Sequence, residues 1–288
     1  MTKRYLIYSV ISIICVVAIF MGVYYQLFGE NKKSNIPSNE IANNKPNTEE
    51  TIDLEALKEE FESLFNNEFN NQGYDTNEIE KISGLEDKNI IYAAYDIQEE
   101  KDEENKKYNI DIKVPVFNVK GEVAQEFNKT TQSIFADKAN DILTRSEKHT
   151  IYNMEYVAYL NENILSLVIK STLKEGDNPQ RTIVQTYNYN IQTGEKVTLN
   201  EILESKEIDV KEVNKKIEKQ IKEANKQAEA ISEALSQLGQ SVYMRDLDNA
   251  MYITDNITHF FVGLDGQIYI VYPYGNTNFT SEMDIIKI

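Results

Sequence analysis

After Met1-Thr2-Lys3-Arg4 the chain carries no charged side chain until Glu30. Tyr5–Gly29 is an uncharged run of 25 residues, densest in apolar side chains from Leu6 to Tyr25. A helix needs about 20 apolar residues to cross a hydrocarbon layer of about 30 Å. Tyr5, Tyr8, Tyr24 and Tyr25 stand at the two ends of the run, where amphipathic rings suit the headgroup zones. The nearest cations, Lys3 and Arg4, lie on the N-terminal side, so the positive-inside rule puts the N-terminus in the cytoplasm and everything after Gly29 outside. A cleaved signal peptide needs a small-x-small exit, but this exit reads Tyr24-Tyr25-Gln26-Leu27-Phe28. A lipoprotein needs a small residue before its cysteine, and Cys15 follows Ile14 in mid-run. The run therefore predicts an uncleaved, single-pass anchor in the cell membrane. It divides the chain into a cytoplasmic stub (1–4), a transmembrane signal anchor (5–28), a flexible stalk (29–50) and an extracytoplasmic domain (51–288).

The balance of charge then bounds the partners. Setting aside Lys3 and Arg4 leaves 28 basic against 47 acidic side chains outside the membrane, a net charge of −19. Such a surface repels nucleic acid and anionic polymers and favours cationic partners, or it serves solubility alone. Cys15 is the chain's one cysteine, so the outer domain is expected to hold neither disulfides nor thiolate metal sites. Its stability must come from its core. The absence of tryptophan beside 18 tyrosines, with abundant Asn, Ile and Lys, is a bacterial compositional bias.

Residues 30–50 are polar, with Pro37 and Pro46, and cannot bury enough apolar surface to order themselves. Leu54, Leu57, Phe61, Leu64, Phe65 and Phe69 then repeat at helical spacing, which predicts a helix over Asp53–Asn70 ended by Gly73. Its apolar face serves either to dock a partner or to pack on the core, and core packing is favoured. Asn89–Gln98 reads as a strand, and the charged run Glu99–Lys107 as a solvated loop. Tyr108, Ile110, Ile112, Val114 and Val116 alternate as a half-buried strand, with Pro115 marking a sheet edge or bulge. A helix to about Leu143 follows, its stripe being Val123, Phe127, Ile134, Ala139 and Ile142. Thr150–Leu160, Ile164–Lys174 and Arg181–Ile191 read as a three-strand meander, followed by a short strand at Lys196–Thr198 and a short helix at Leu199–Leu203.

Over Asp209–Leu238, the residues Ile217, Ile221, Ala224, Ala228, Ile231, Leu235 and Leu238 step by alternating fours and threes, a heptad seam that Gly239 stops. The seam serves either a coiled-coil partner or a sheet. Ala224 and Ala228 narrow its middle and favour the sheet. Thr258–Leu264, an Asp265-Gly266 turn and Gln267–Tyr272 form a hairpin, and Glu282–Ile288 a last strand. The expected class is α+β, an antiparallel sheet with packed helices, preceded by one transmembrane helix.

Catalytic signals are sparse. His149 and His259 form no HExxH or HxxxH pair, and the sequence holds no GxSxG elbow, phosphate loop or dinucleotide fingerprint. Acids are plentiful, so a glycosidase-like pair carries no specific signal. Asp75–Glu78 and Asp246–Asn249 resemble pieces of calcium loops but lack the central glycine and closing glutamate, and read as solvated turns. We expect no cofactor and no metal. Tyr272-Pro273-Tyr274-Gly275-Asn276 is less bland: tyrosines flank a rigid proline, as in binding loops, although the same pattern also suits an aromatic core edge.

The segments Tyr108–Val116, Thr186–Asn190 with Thr193-Gly194 and Leu199–Leu203, then Phe260–Val262 and Tyr272–Gly275 occur in an order that resembles the extracytoplasmic domain of the lysozyme-binding anti-sigma-V factor of Gram-positive bacteria. That domain family also occurs beside polysaccharide deacetylase domains. The resemblance covers about 88–288. It implies a non-enzymatic module that binds or senses a protein or cell-wall ligand, with lysozyme as a cationic example, and it makes Tyr272, Pro273, Tyr274, Gly275 and Asn276 the expected ligand-binding residues. The chain departs from the family at its N-terminus, where four residues precede the anchor instead of a sigma-factor-binding segment. Direct inhibition of a sigma factor is not expected, and any inward signal needs another protein. A structural envelope protein self-associating through the long helix is the alternative, followed by an enzyme acting on wall glycan.

Overall fold

In the computed structural model, residues 52–65, 90–119, 121–145, 148–273 and 283–288 are described. The expected anchor and stalk lie outside them, and among the described residues no helix is long and apolar enough to cross a membrane. Residues 51–288 form one compact unit.

A six-stranded sheet runs in sequence order: β1 (Ile91–Glu103), β2 (Lys106–Phe117), β3 (Thr150–Asn161), β4 (Ile164–Glu175), β5 (Arg181–Asn190) and β6 (Glu195–Lys196). The meander over β3–β5 falls within a residue or two of its expected bounds. The sheet is not wholly antiparallel, however, because β2 pairs with β3 in parallel, Tyr108 opposite Thr150. Between them the chain runs through α1 (Glu122–Thr131), a π turn (Gln132–Ala136) and α2 (Asp137–Arg145), the crossover that a parallel pair requires. A strand, a helix and a strand were already legible in that order, but the hairpins elsewhere hid their meaning.

The charged run Glu99–Lys107 is not a loop. It extends β1 and β2 as a hairpin that turns at Glu104-Asn105 and pairs Asp102 with Lys107 and Glu103 with Lys106. Acidic residues on one strand face basic residues on the other, so the run supplies its own cross-strand attraction. Pro115 sits where the register slips between Ala93 and Tyr95, a bulge as expected.

The π turn has its own consequence. It inserts one residue, so the buried stripe passes from Phe127 through Thr131 to Phe135 and Ala139, while the expected Ile134 is left 39% exposed. With Tyr108, Ile110, Ile112, Met154, Leu165 and Leu167 these side chains fill the layer between the sheet and its helices.

The opposite face of the sheet meets a second, three-stranded sheet of β7 (Phe260–Val262), β8 (Ile268–Pro273) and β9 (Met283–Lys287). The two sheets and the N-terminal helix Leu54–Leu64, capped by Asp53, close a layer of Val157, Val168, Val184, Phe261, Tyr269, Val271, Ile285 and Phe61. Phe61 is fully buried, so this helix packs on the core as expected. Glu60 accepts from Lys287 Nζ at 2.8 Å and from Tyr269 Oη at 2.6 Å, and these donors hold its carboxyl below the usual range.

The outer face of the second sheet is covered by α3 (Leu199–Ser205) and α4 (Val210–Gln237). Thr198 and Glu201 form the capping box that starts α3, and Asp209 caps α4. Ile217 and Ile221 of the heptad seam pack on Ile268, Ile270 and Ile286, so this part of the seam serves a sheet. Two sheets between helical layers replace the single sheet expected.

One junction is made by polar side chains. β7 is an edge strand whose backbone turns toward the first sheet. Val262 N–H donates to Ser166 Oγ at 3.0 Å and Phe260 N–H to Thr186 Oγ1 at 2.9 Å. Asn188 Nδ2 donates to Phe260 O at 2.8 Å and Asn161 Nδ2 to Gly263 O at 2.8 Å. Ser166, Thr186 and Asn188 are buried, and together they stand in for the strand that β7 lacks.

Candidate functional site

Tyr272 and Pro273 end β8 opposite Asp284 and Met283, which begin β9. That register fixes both ends of the intervening segment. Tyr274, Gly275 and Asn276 fall in that segment and lie outside the described residues. What the structure describes is the base on which the segment stands.

Tyr272 is 3% exposed, and its ring belongs to the core between the second sheet and α4. It meets Tyr252 edge-on, with centroids 5.0 Å apart at 68°. Its hydroxyl has no hydrogen-bond partner among the described residues. Burial pushes both phenols well above their ordinary range, which keeps them protonated.

Beside them Asp284 receives two hydrogen bonds from one guanidinium: Arg245 Nε donates to Oδ2 at 3.0 Å and Nη2 to Oδ1 at 2.9 Å. Arg245 Nη1 donates to Tyr243 O at 3.0 Å, and its guanidinium lies 5.4 Å from the centroid of the Tyr243 ring. Both members of the ion pair are nearly buried, at 12% and 10% side-chain exposure. Burial pushes the Asp284 carboxyl up, and Arg245 pulls it back. Asn225 on α4 fixes the backbone of Arg245 from the far side, donating to its carbonyl at 2.8 Å and accepting from its N–H at 2.7 Å. Tyr243, Arg245, Tyr252, Tyr272 and Asp284 thus form one cluster at the facing ends of β8 and β9. Its fork-to-carboxylate geometry holds position. Both oxygens of Asp284 are engaged, and the phenols stay neutral.

His149 is exposed at the start of β3, where its carbonyl accepts from Gly176 N–H at 2.8 Å. His259 is half-buried before β7. Burial, with Lys196 nearby, holds its imidazole below its ordinary range, and its Nδ1 has no partner among the described residues. Asp246 and Asn249 spend their side chains on local turns, accepting from the N–H groups of Asp248 and Met251. Asp75–Glu78 lies outside the described residues, and among those described no three His, Cys, Asp or Glu side chains gather as metal ligands. An open hollow of about 300 Å³ beside α2 is lined in part by Lys138, Arg145 and Lys148. Its cations are shared with acids, Lys138 with Glu175 at 2.6 Å and Arg145 with Asp141 at 3.5 Å.

No protein-family model matches the chain, and no curated protein matches it. Among solved structures, the chain is similar to a DUF3298 family protein from Pseudomonas aeruginosa PAO1 at 12% identity, with a TM-score of 0.36, covering 69% of this chain and 86% of that one. It is similar to a DUF3298 family member from Bacteroides fragilis at 12% identity, with a TM-score of 0.31, covering 68% and 90%.

Sequence reasoning missed Tyr243, Arg245, Tyr252 and Asp284. The cue was a lone arginine after a long uncharged stretch, and an aspartate directly before the apolar pair Ile285-Ile286. Neither pattern says that the two residues meet.

Proposed function

We propose that this chain is a membrane-anchored, extracytoplasmic binding or sensing module of the bacterial envelope, and that the loop between β8 and β9 is its recognition element. The observation that supports this reading most is the base of that loop. A doubly hydrogen-bonded Arg245–Asp284 pair and two packed tyrosines fix both strand ends, while Tyr274, Gly275 and Asn276 follow immediately in sequence. Recognition loops gain affinity when a stiff scaffold holds their ends. The uncharged run over 5–28 supplies the anchor, and the acidic excess favours a cationic partner such as lysozyme or a basic wall component.

The test uses the full chain in lipid nanodiscs and measures binding of lysozyme and of soluble wall fragments at low and high salt. We expect saturable binding that weakens with salt and falls at least about tenfold in Tyr274→Ala, an anchor-sized loss. Arg245→Met, which loosens the base without touching the loop, should weaken it less. Failure of both ligands to bind at low salt removes the reading.

A further inference from the structure

The heptad seam of α4 outlasts the sheet it packs on. Ile217, Ile221, Ala224 and Ala228 are buried, but the same rhythm continues through Ile231, Leu235 and Leu238, and there Ile231 is 48% and Leu238 62% exposed. Gly239, at φ 70°, ends the helix, and Gln240 N–H closes on Leu235 O at 2.9 Å. The chain then returns to Arg245, which Asn225 grips. From Asn225 to Leu238 the helix rises about 20 Å, and the seven steps from Leu238 back to Arg245 reach at most about 25 Å. The return is therefore a nearly straight strap along the helix. Helix end and strap together form an arm, with Met244 of the strap 44% exposed.

The charge on this arm is unlike that of the rest of the chain. Ala234–Met244 holds no charged side chain in a protein that is 27% charged. The positions flanking the seam, Asn225, Gln227, Ser232 and Ala234, are uncharged as well. Elsewhere two copies of a chain of net charge −17 repel each other, but seam against seam they bring almost no like charge together. A lipid surface fits poorly, because helices that lie on anionic membranes carry basic polar faces, and here Lys226 stands against Glu229 and Glu233. A helix with apolar a and d positions and neutral flanks is complementary to another such helix.

We propose that this arm is a self-association surface, in which Ile231, Leu235 and Leu238 of one copy pack on the same residues of a second copy across a two-fold axis. The seam is about two turns long, so the association is weak and concentration-dependent. It does not depend on the ligand-binding role of the β8–β9 loop.

The test measures the mass of the full chain in detergent by sedimentation equilibrium across a hundredfold range of concentration. It is paired with maleimide cross-linking in a Cys15→Ser background carrying Ser232→Cys, which flanks the seam, or Glu233→Cys, which faces away from it. We expect the mass to rise toward a dimer with concentration. Cross-linking through Ser232→Cys should exceed that through Glu233→Cys severalfold, and both signals should be lost in Leu238→Glu. Leu238 is largely exposed, so the thermal midpoint of that variant should stay unchanged, and Ile231→Lys should repeat the result. A monomer at every concentration, equal cross-linking at the two positions, or a dimer that survives Leu238→Glu overturns the proposal.

Discussion

The two sheets protect their edges in opposite ways. β1 is long, exposed and charged: Glu99, Glu100, Asp102 and Glu103 crowd its outer half. Any strand that approached this edge would have to bury carboxylates, so charge alone guards it. β7 is three residues long and wholly buried, and it presents no free edge because Ser166, Thr186, Asn188 and Asn161 occupy its backbone groups. One edge is kept soluble by repulsion and the other is built into the core by side-chain hydrogen bonds. The first tolerates change residue by residue, whereas the second depends on each donor and acceptor.

The largest effect is expected at β7 itself. Phe261 is fully buried and stacks on Tyr269 with centroids 4.8 Å apart. Phe261→Ala should cost about 3–5 kcal/mol in urea unfolding. Asn188→Leu comes next. It leaves Phe260 O without its donor and Ser166 Oγ, 2.6 Å from Asn188 Oδ1, without its acceptor, and should cost about 2–3 kcal/mol. An unchanged midpoint for Asn188→Leu would mean that apolar contact, not the polar stand-in, holds β7 to the first sheet.

The third expectation concerns pH. Lys287 and Tyr269 depress the Glu60 carboxyl in the folded state, so its contribution is complete above the ordinary glutamate range, near 4.5, and is lost as pH falls through the lower folded value. Protection factors in the helix Leu54–Leu64, with the intrinsic pH dependence of exchange removed, should therefore fall as pH drops below about 4.5. In Glu60→Gln that fall should shrink, and if it does not, another group drives it. The smallest effect belongs to β1. Asp102 and Lys107 pair at 3.1 Å while mostly exposed, and Asp102→Ala should shift stability by less than about 0.5 kcal/mol. Replacing Glu100, Asp102 and Glu103 together with valine should leave folding intact but promote aggregation measurable by light scattering.

The same contrast marks how far the sequence could be read. Strands with alternating apolar residues, such as Tyr108–Val116 and the β3–β5 meander, announce themselves through period two, and α4 through its heptads. Glu99–Lys107 was misread because a strand stabilised by partner charges has no apolar alternation to detect. The stripe through Ile134 was misread because a π turn leaves no trace in composition yet shifts each later residue around the helix. Of the candidate site, Tyr272 was found by its aromatic neighbours. Its base was not, because Arg245 and Asp284 lie 39 positions apart and only the fold brings them to 2.9 Å.

The grip of Lys287 on Glu60 joins the helix at Leu54–Leu64 to β9. Topologically the domain is almost a ring. Its beginning and end could be spliced by a short linker, and new ends opened at an exposed turn such as Asp177–Gln180, with nearly all the packing retained. In such a rearranged chain the helix would be made next to its partner strand instead of some 220 residues before it, which converts a contact spanning 227 positions into a local one.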